Sequence, residues 1–146
     1  MMLIREAKDS DIGGMQKVRR AVKENRLSDP SLVKDTDVEE YINRRGKGWV
    51  CMIQDQLIGF AIVSTQDRNV WALFVDPDRE GLGAGSLLHE AMMEWYFNNS
   101  VEDIWLSTAP GTRAAEFYRK KGWRETGVYG KGELKFEMSR EDWNKY

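Results

Sequence analysis

The sequence predicts an α/β fold of the α+β type, with helices packed against one mixed β-sheet. The chain has 146 residues, the length of one domain, so we expect a single domain over 1–146. Its 41% hydrophobic and 32% charged residues are the proportions of an ordinary globular protein. Strand-like runs outnumber helical ones, and near the middle a helical stretch separates two strands. Such a crossover implies one parallel strand pair within the sheet.

Apolar periodicity and turn residues give the order of the predicted elements. Strands are expected at 1–7, 48–54, 57–65, 69–75, 104–107, 123–128 and 134–138, with a hairpin turn at Asp55 and Gln56. Helices are expected at 9–24, 36–46, 83–98 and 113–121. The expected helix caps are Asp9 and Asp11 for the first helix and Thr36 or Asp37 for the second.

Two of these elements carry finer expectations about burial. The strand at 69–75, NVWALFV, is almost continuously apolar, which indicates burial on both faces. The helix at 83–98 has apolar residues at helical spacing, and one stripe is its expected buried face. That stripe consists of Leu87, Ala91 and Trp95, with Leu88 and Met92 beside it.

Residues 78–88, DREGLGAGSLL, place three alternating glycines directly before a helix. Glycines there let backbone N–H groups approach an anion, and the positive end of the helix dipole favours negative charge. A P-loop would need a lysine after Gly85, where Ser86 stands, and the dinucleotide-binding spacing G-x-G-x-x-G is also absent. What remains is a strand–loop–helix anion site over 81–86, with an ordinary glycine-rich turn as the alternative.

Four short motifs follow one another along the chain. They are IREA at 4–7, LFVDP at 73–77, GLGAGSLL at 81–88 and AAEFYRKKGW at 114–123. In this order and spacing they resemble the GNAT superfamily of acetyl-CoA-dependent N-acetyltransferases, over most of the chain. The resemblance implies a single-domain GNAT-like fold. In that fold a mixed, mostly antiparallel central sheet is flanked by helices, with a V-shaped splay between the two central parallel strands.

The resemblance also implies that acetyl-CoA is the acetyl donor and that its pyrophosphate binds the glycine loop. The residues implied at the donor are Phe74, Val75, Arg79, Gly81, Leu82, Gly83, Ala84, Gly85 and Ser86. The pantetheine arm would lie in the splay and hydrogen-bond backbone groups of Phe74 and Val75 that the diverging strands leave unpaired. Two positions depart from the family pattern. Glu80 stands where Arg or Gln is common, with Arg79 as a candidate cation beside it, and Gly111 stands where Asn is frequent.

Acetyl transfer requires a neutral amine, a polarised carbonyl and protonation of the leaving thiolate. The resemblance implies that Tyr118 protonates the thiolate, facing the cleft while Phe117 packs in the core. The Val75 N–H is the candidate that polarises the carbonyl. Candidates for the base are a relayed water and three carboxylates, those of Glu24, Asp29 and Glu133.

The acceptor, a small-molecule amine or an exposed peptide or protein amine, is expected to enter past the loop at 25–37. Polar residues of this loop are Asn25, Arg26, Ser28 and Asp29, and candidate walls are Trp49 and Trp71. A non-catalytic acyl-CoA-binding sensor of the same fold is the alternative function. The resemblance is also compatible with a homodimer.

A basic cluster surrounds the helix at 113–121. It consists of Arg113, Arg119, Lys120, Lys121 and Arg124. The first interpretation is a solvated face, since cations near a helix C-terminus complement the dipole. Contact with the 3′-phosphate of coenzyme A is the second.

Charge and cysteine usage exclude several classes of function. With 22 basic and 24 acidic residues the net charge is −2, so no global field attracts nucleic acid or a membrane surface. No stretch approaches the roughly 18 apolar residues of a membrane span, and the first residues do not resemble a signal peptide, so we expect a cytoplasmic protein. The single cysteine, Cys51, is expected to be a buried hydrophobe and the single histidine, His89, a packing or surface residue, with no metal site.

Overall fold

A computed structural model of the protein describes residues 1–22 and 33–145. Its strands are β1 (Met2–Glu6), β2 (Gly46–Ile53), β3 (Gln56–Ser64), β4 (Asn69–Val75), β5 (Ile104–Thr108), β6 (Arg124–Tyr129) and β7 (Glu133–Met138). Its α-helices are α1 (Ile12–Ala21), α2 (Asp35–Glu40), α3 (Ala84–Asn99), α4 (Arg113–Lys120) and α5 (Arg140–Asn144). Short helical turns at Asp9–Asp11, Tyr41–Arg45 and Pro77–Arg79 complete the described structure. The short helix α5 has no counterpart among the predicted elements.

The strands form one sheet in the order β1-β2-β3-β4-β5-β7-β6. Every neighbouring pair is antiparallel except β4 and β5, which are parallel and share a single register pair, Asn69 with Trp105. Beyond that pair the two strands diverge toward their C-terminal ends. The predicted mixed sheet with a splay between its central parallel strands is therefore confirmed.

Helices cover both faces of the sheet, and each face has its own apolar cluster. On one face α3 and α4 pack on the sheet through residues such as Leu88, Met92 and Tyr118. On the other face α1 and α2 do so through residues such as Met15 and Val38. Cys51 is fully buried in the first cluster, as predicted. Within the described ranges, no helix combines the length and apolarity that crossing a bilayer requires.

Lys8 is the N-cap of the helical turn Asp9–Asp11, and Lys34 is the N-cap of α2, where the sequence predicted other residues. Asp11 is the N-cap residue of α1, as predicted, but its side chain makes no capping hydrogen bond to that helix. The Lys8 N–H donates to the Asp11 carboxylate at 2.8 Å, and the Lys34 N–H donates to the Asp37 carboxylate at 2.8 Å. Each acid therefore stands at the third position of its segment and satisfies a backbone donor that precedes it. The predicted caps were Asp9, Asp11, Thr36 and Asp37. Helix α1 ends at Ala21, and its predicted end, Glu24, lies outside the described residues.

The β2–β3 hairpin turns at Gln54 and Asp55, one residue before the predicted Asp55 and Gln56. Both residues have positive φ, 48° and 67°. This is the backbone of a two-residue turn whose twist matches the flanking strands. Gln56 consequently begins β3 and pairs with Ile53.

The predicted buried stripe of α3 is wrong by about one position around the helix. Leu87 is 40% exposed, whereas the neighbouring Leu88 and, one turn later, Met92 are fully buried. Because almost every face of this helix carries apolar residues, spacing alone does not choose between adjacent stripes. Contact with the sheet makes that choice.

Strand β4 is less buried than its apolar sequence indicates. Val70 and Ala72 are buried, while the other residues of the strand are half-buried. Val70 belongs to the apolar cluster on one face and Ala72 to the cluster on the other, so the predicted burial on both faces is confirmed for these two residues. The incomplete burial of the rest of the strand departs from the prediction. Its physical cause is the divergence from β5, which leaves Leu73 and Phe74 lining open space instead of a neighbouring strand.

Candidate active site

The divergence of β4 and β5 leaves backbone groups of β4 without a strand partner. The Asp76 N–H donates to the Ile58 carbonyl at 2.7 Å, and Phe74 faces Phe60 in the β3 register. Because backbone groups alternate sides along a strand, those of Phe74 point toward β3 and those of Val75 point into the gap. The expectation of unpaired backbone groups is thus wrong for Phe74. For Val75 it agrees with the pairing, since no described strand faces it on that side.

Two cavities meet at this gap. The strand-gap cavity, about 900 Å³, lies between β4 and β5, and the glycine-loop cavity, about 360 Å³, lies between the end of β4, the glycine loop and α4. The residues that line both are Leu73, Phe74, Ala114 and Tyr118. Two ligands in these cavities would therefore meet beside Tyr118.

The glycine loop presents backbone, not side chains, to its cavity. Gly81 and Gly83 have φ of 81° and 92°, values that strain any residue with a Cβ. Gly83 is the N-cap of α3 and supplies no side-chain acceptor for the first N–H groups of the helix. These groups, together with the helix dipole, suit an anion.

Most of the residues predicted to bind the donor line the glycine-loop cavity. They are Phe74, Val75, Arg79, Gly81, Gly83, Ala84, Gly85 and Ser86. Leu82 is not among the lining residues, and its side chain is 50% exposed. Arg79 lies at the cavity but donates a hydrogen bond to the Gln56 side chain at 3.1 Å.

Tyr118 is more buried than expected, and Phe117 is less buried. Tyr118 is 6% exposed and packs edge-on against Trp123 with ring centroids 5.6 Å apart, while Phe117 is half-buried and lines the glycine-loop cavity. The expected core and cleft roles of the two rings are therefore not separated, because Tyr118 belongs to both. Burial raises the pKa of the Tyr118 hydroxyl well above its ordinary value, so the group stays protonated at neutral pH.

His89 is a packing residue and not a surface residue, which confirms the first of the two predicted alternatives. The Trp123 indole N–H donates to its Nε2 at 3.0 Å. Burial, with a smaller contribution from the Lys121 charge, lowers the pKa of His89 to about 3. The imidazole is therefore a neutral acceptor, and it lines neither cavity.

The strand-gap cavity contains the polar and aromatic groups available to an acceptor. Among its charged lining residues are Arg19, Lys131 and Glu133, and its aromatic walls include Trp71. Trp49, the other predicted wall, is instead buried in the core against Trp95. The remaining residues predicted at the acceptor or as bases lie outside the described residues: Glu24, Asn25, Arg26, Ser28 and Asp29. Arg19 was missed because a cation at the end of a surface helix carries no distinguishing pattern.

Three members of the basic cluster form exposed ion pairs. Arg119 pairs with Glu116 and Glu125, and Arg124 pairs with Asp142 at 3.1 Å. Arg113 pairs with Glu80 across the mouth of the glycine-loop cavity. These contacts favour the interpretation as a solvated face for Arg119 and Arg124, whereas Arg113 lies at the candidate donor site.

The sequence profile of the acetyltransferase (GNAT) family matches residues 16–123 of this chain. The chain belongs to this family. Among curated members, the peptidyl-lysine N-acetyltransferase YjaB of Escherichia coli (strain K12) is 34% identical over 82 residues. That alignment covers 54% of this chain and 50% of YjaB, so the chain matches half the length of this relative.

Solved structures of GNAT acetyltransferases share the fold. The PaiA N-acetyltransferase of Thermoplasma acidophilum, solved in complex with coenzyme A, superposes with a TM-score of 0.81 at 14% identity, over 95% of this chain and 99% of that one. The ribosomal-protein-alanine N-acetyltransferase of Brucella melitensis gives 0.78 at 19% identity, over 94% and 99%. The family and fold predicted from the sequence are therefore confirmed.

The two departures from the GNAT pattern have structural counterparts. Glu80 places a carboxylate beside an expected anion site, and the Arg113 guanidinium that pairs with it offsets that charge. Gly111 has a φ of 73°, and a Cβ at this position would meet no atom within 4 Å. An asparagine there would thus have room, since Asn tolerates the left-handed region better than most residues do.

Proposed function

We propose that this protein is an acetyl-CoA-dependent N-acetyltransferase. It transfers the acetyl group to a primary amine, of a small molecule or exposed on a protein, by direct attack in a ternary complex. The observation that carries the proposal is the meeting of two cavities beside the buried Tyr118, one edged by the glycine loop and one open between β4 and β5. Membership of the acetyltransferase (GNAT) family supports the same reaction.

The glycine-loop cavity fits the diphosphate of the donor. Gly81 and Gly83 keep side chains away from the approaching oxygens, and the N–H groups at the start of α3 supply donors. The Val75 N–H points into the gap, where a pantetheine arm would provide the hydrogen-bonding partner that β5 does not. Arg79 and Arg113 add positive charge at the same cavity.

The chemistry assigns one role to each group at the junction. The donor supplies an activated thioester carbonyl, which the Val75 N–H polarises. Tyr118 donates its proton toward the sulfur as the C–S bond breaks. Its raised pKa keeps that proton in place until then. Burial disfavours the charge of a thiolate formed beside it as well, which narrows the difference in pKa between the two groups.

The mechanism also requires a base that accepts a proton from the amine. A lysine-like amine is neutral in only about one molecule in ~2,500 at pH 7, so attack needs a proton acceptor or a pre-formed neutral amine. Glu133 is the carboxylate among the described residues that line the strand-gap cavity, and we assign it this role, directly or through water. Water relayed by backbone, Glu24 and Asp29 are the alternatives.

The names of two similar proteins suggest which amines to test as acceptors. YjaB is named for peptidyl-lysine, and the Brucella structure for an alanine of a ribosomal protein, so protein amines belong in any substrate panel. A single domain, a cytoplasmic location and a homodimer remain predictions.

Thiol release from acetyl-CoA, measured with a panel of small amines and peptides, tests the proposal. Amine-dependent release together with calorimetric binding of acetyl-CoA is the expected result. Binding without release for any amine would identify a non-catalytic acyl-CoA sensor. Preference for NADH over acetyl-CoA in the same calorimetric experiment would overturn the assignment.

A further inference from the structure

The guanidinium of Arg19 occupies an unusual position in the strand-gap cavity. Arg19 lies in the last turn of α1, and its side chain lines the cavity beside β4. Its Cζ lies 5.2 Å from the ring centroid of Trp71 and 4.9 Å from that of Phe74. Trp71 is itself held from the other side, because Tyr41 stacks on it at 3.9 Å with planes 8° apart. Aromatic rings therefore hold the cation at the wall of the strand-gap cavity.

This cation lacks a counterion among the described residues. Its Nε and Nη2 atoms are buried and have no hydrogen-bond partner there. Burial lowers the pKa of Arg19 to about 10, still high enough for the group to remain charged at neutral pH. Arg5, by comparison, makes two hydrogen bonds to the Asp11 carboxylate. Buried donors of a charged group are costly without acceptors, and an arginine fork matches the two oxygens of a carboxylate.

The described charged side chains that line the strand-gap cavity carry an excess of positive charge, which favours an anion. The described lining of this cavity contains two cations, Arg19 and Lys131, and one carboxylate, Glu133. No ion pair joins Glu133 to Arg19 within the described part of the chain. The cavity thus offers a base for an amine and, separately, a cation that has no counterion within residues 1–22 and 33–145.

We propose that the acceptor carries a carboxylate besides its reactive amine, and that Arg19 is the specificity-determining residue that binds this carboxylate. This rests on the proposed acetyltransferase function and narrows its substrate class. The carboxylate belongs either to a free amino acid or to an acidic side chain beside the reacting amine of a peptide. In both cases Arg19 binds the acceptor and not the carbonyl or sulfur at which bonds change, so its contribution appears in KM more than in kcat.

Matched acceptors test the proposal in the unaltered protein. Two pairs of small amines differ in the presence of a carboxylate: phenylalanine and phenethylamine, and β-alanine and propylamine. A third pair, peptides with Asp or Asn beside the reacting amine, tests an acidic side chain as the source of the carboxylate. We expect kcat/KM to favour the carboxylate member of at least one set by about 10- to 100-fold, the range for hydrogen bonds to a charged group. Equal values in all sets, or a stronger preference for a phosphorylated amine, would overturn the proposal.

Variants then locate the binding group. In Arg19→Met the preference should fall to within about 3-fold, mostly through KM, and Arg19→Lys should retain part of it because the charge remains but the fork does not. Lys17→Gln removes a charge from the exposed face of the same helix and should keep the full preference. An undiminished preference in Arg19→Met would assign the carboxylate to another residue and refute the role of Arg19.

A binding experiment without turnover separates this proposal from the proposed function. N-acetylphenylalanine and N-acetylphenethylamine, as product analogues, are titrated calorimetrically into the unaltered protein and into Arg19→Met. Arg19-dependent binding of the acid alone supports the carboxylate site even if no amine releases thiol. Equal binding of both compounds overturns the site even if acetyl transfer is found.

Discussion

Replacing Tyr118 with phenylalanine removes one hydroxyl group at the junction of the two cavities. The ring contacts with Trp123 at 5.6 Å and Phe136 at 6.3 Å do not involve that hydroxyl, so packing should be retained. Loss of this one hydroxyl should change the free energy of unfolding by no more than about 1 kcal/mol, the net contribution of a typical hydrogen bond. Any large loss of turnover would then report on chemistry.

We expect kcat of Tyr118→Phe to fall about 100-fold or more, since a positioned proton donor contributes roughly 10²- to 10⁴-fold. The Kd for acetyl-CoA should change less than about 3-fold, a factor worth under about 0.7 kcal/mol, because the proposed diphosphate contacts are backbone groups of the glycine loop. Continuous thiol detection, calorimetry and thermal unfolding measure the three quantities. Tyr96→Phe is the matched control, since Tyr96 is fully buried in α3 and lines neither cavity. Tyr118→Phe with kcat within about 3-fold of Tyr96→Phe would remove Tyr118 from the acid role.

Three further predictions concern the donor site and the core. Arg113→Gln should weaken acetyl-CoA binding, measured by calorimetry, by roughly 5- to 10-fold, because it leaves the Glu80 charge uncompensated. The double variant Arg113→Gln, Glu80→Gln should recover most of this loss. Independent, additive effects of the two substitutions would contradict the charge argument. Gly83→Ala should lower the free energy of unfolding in urea by about 1 kcal/mol or more and weaken acetyl-CoA binding, because the φ of 92° at this position strains a residue with a side chain. As a control, Gly13→Ala in α1 should leave the stability unchanged or raise it. The neutral His89 should make the free energy of unfolding fall as pH decreases from the ordinary histidine pKa of 6.5 toward about 3, since the unfolded chain takes up a proton that the folded chain does not. Unfolding measured at a series of pH values should show that His89→Leu loses this pH dependence, which amounts to at most about 1.4 kcal/mol per pH unit. An unchanged slope would show that His89 is not its source.

Local chemistry allowed most of the elements to be predicted. Turn residues and changes of apolar period placed strands such as Asn69–Val75 at their observed bounds, and Gly122, with φ of 88°, follows the predicted helix at 113–121. The glycine loop was also accessible, because positive φ at Gly81 and Gly83 is a requirement that residue type reveals. These features depend on neighbours along the chain.

The features that were missed depend on contacts between distant segments. Which stripe of α3 is buried is decided by the sheet, and Leu87 and Leu88 are equally apolar in sequence. Which side of β4 keeps its backbone groups unpaired follows from the register with β3, so Phe74 and Val75 exchange roles with a shift of one residue. Arg19 acquires its environment only when α1 packs over Trp71 and Phe74.

The single rung that joins β4 to β5 divides the sheet into four strands on one side and three on the other. A thioester arm lying in the opening would hydrogen-bond the β4 backbone where a neighbouring strand otherwise would. The groups that recognise it would be peptide groups, which are the same in every amino acid. Substitutions along β4 would then alter the walls of the opening without erasing its recognition of the donor. Such tolerance would let the same fold keep its donor site at low sequence identity, such as the 14% that this chain shares with the Thermoplasma structure.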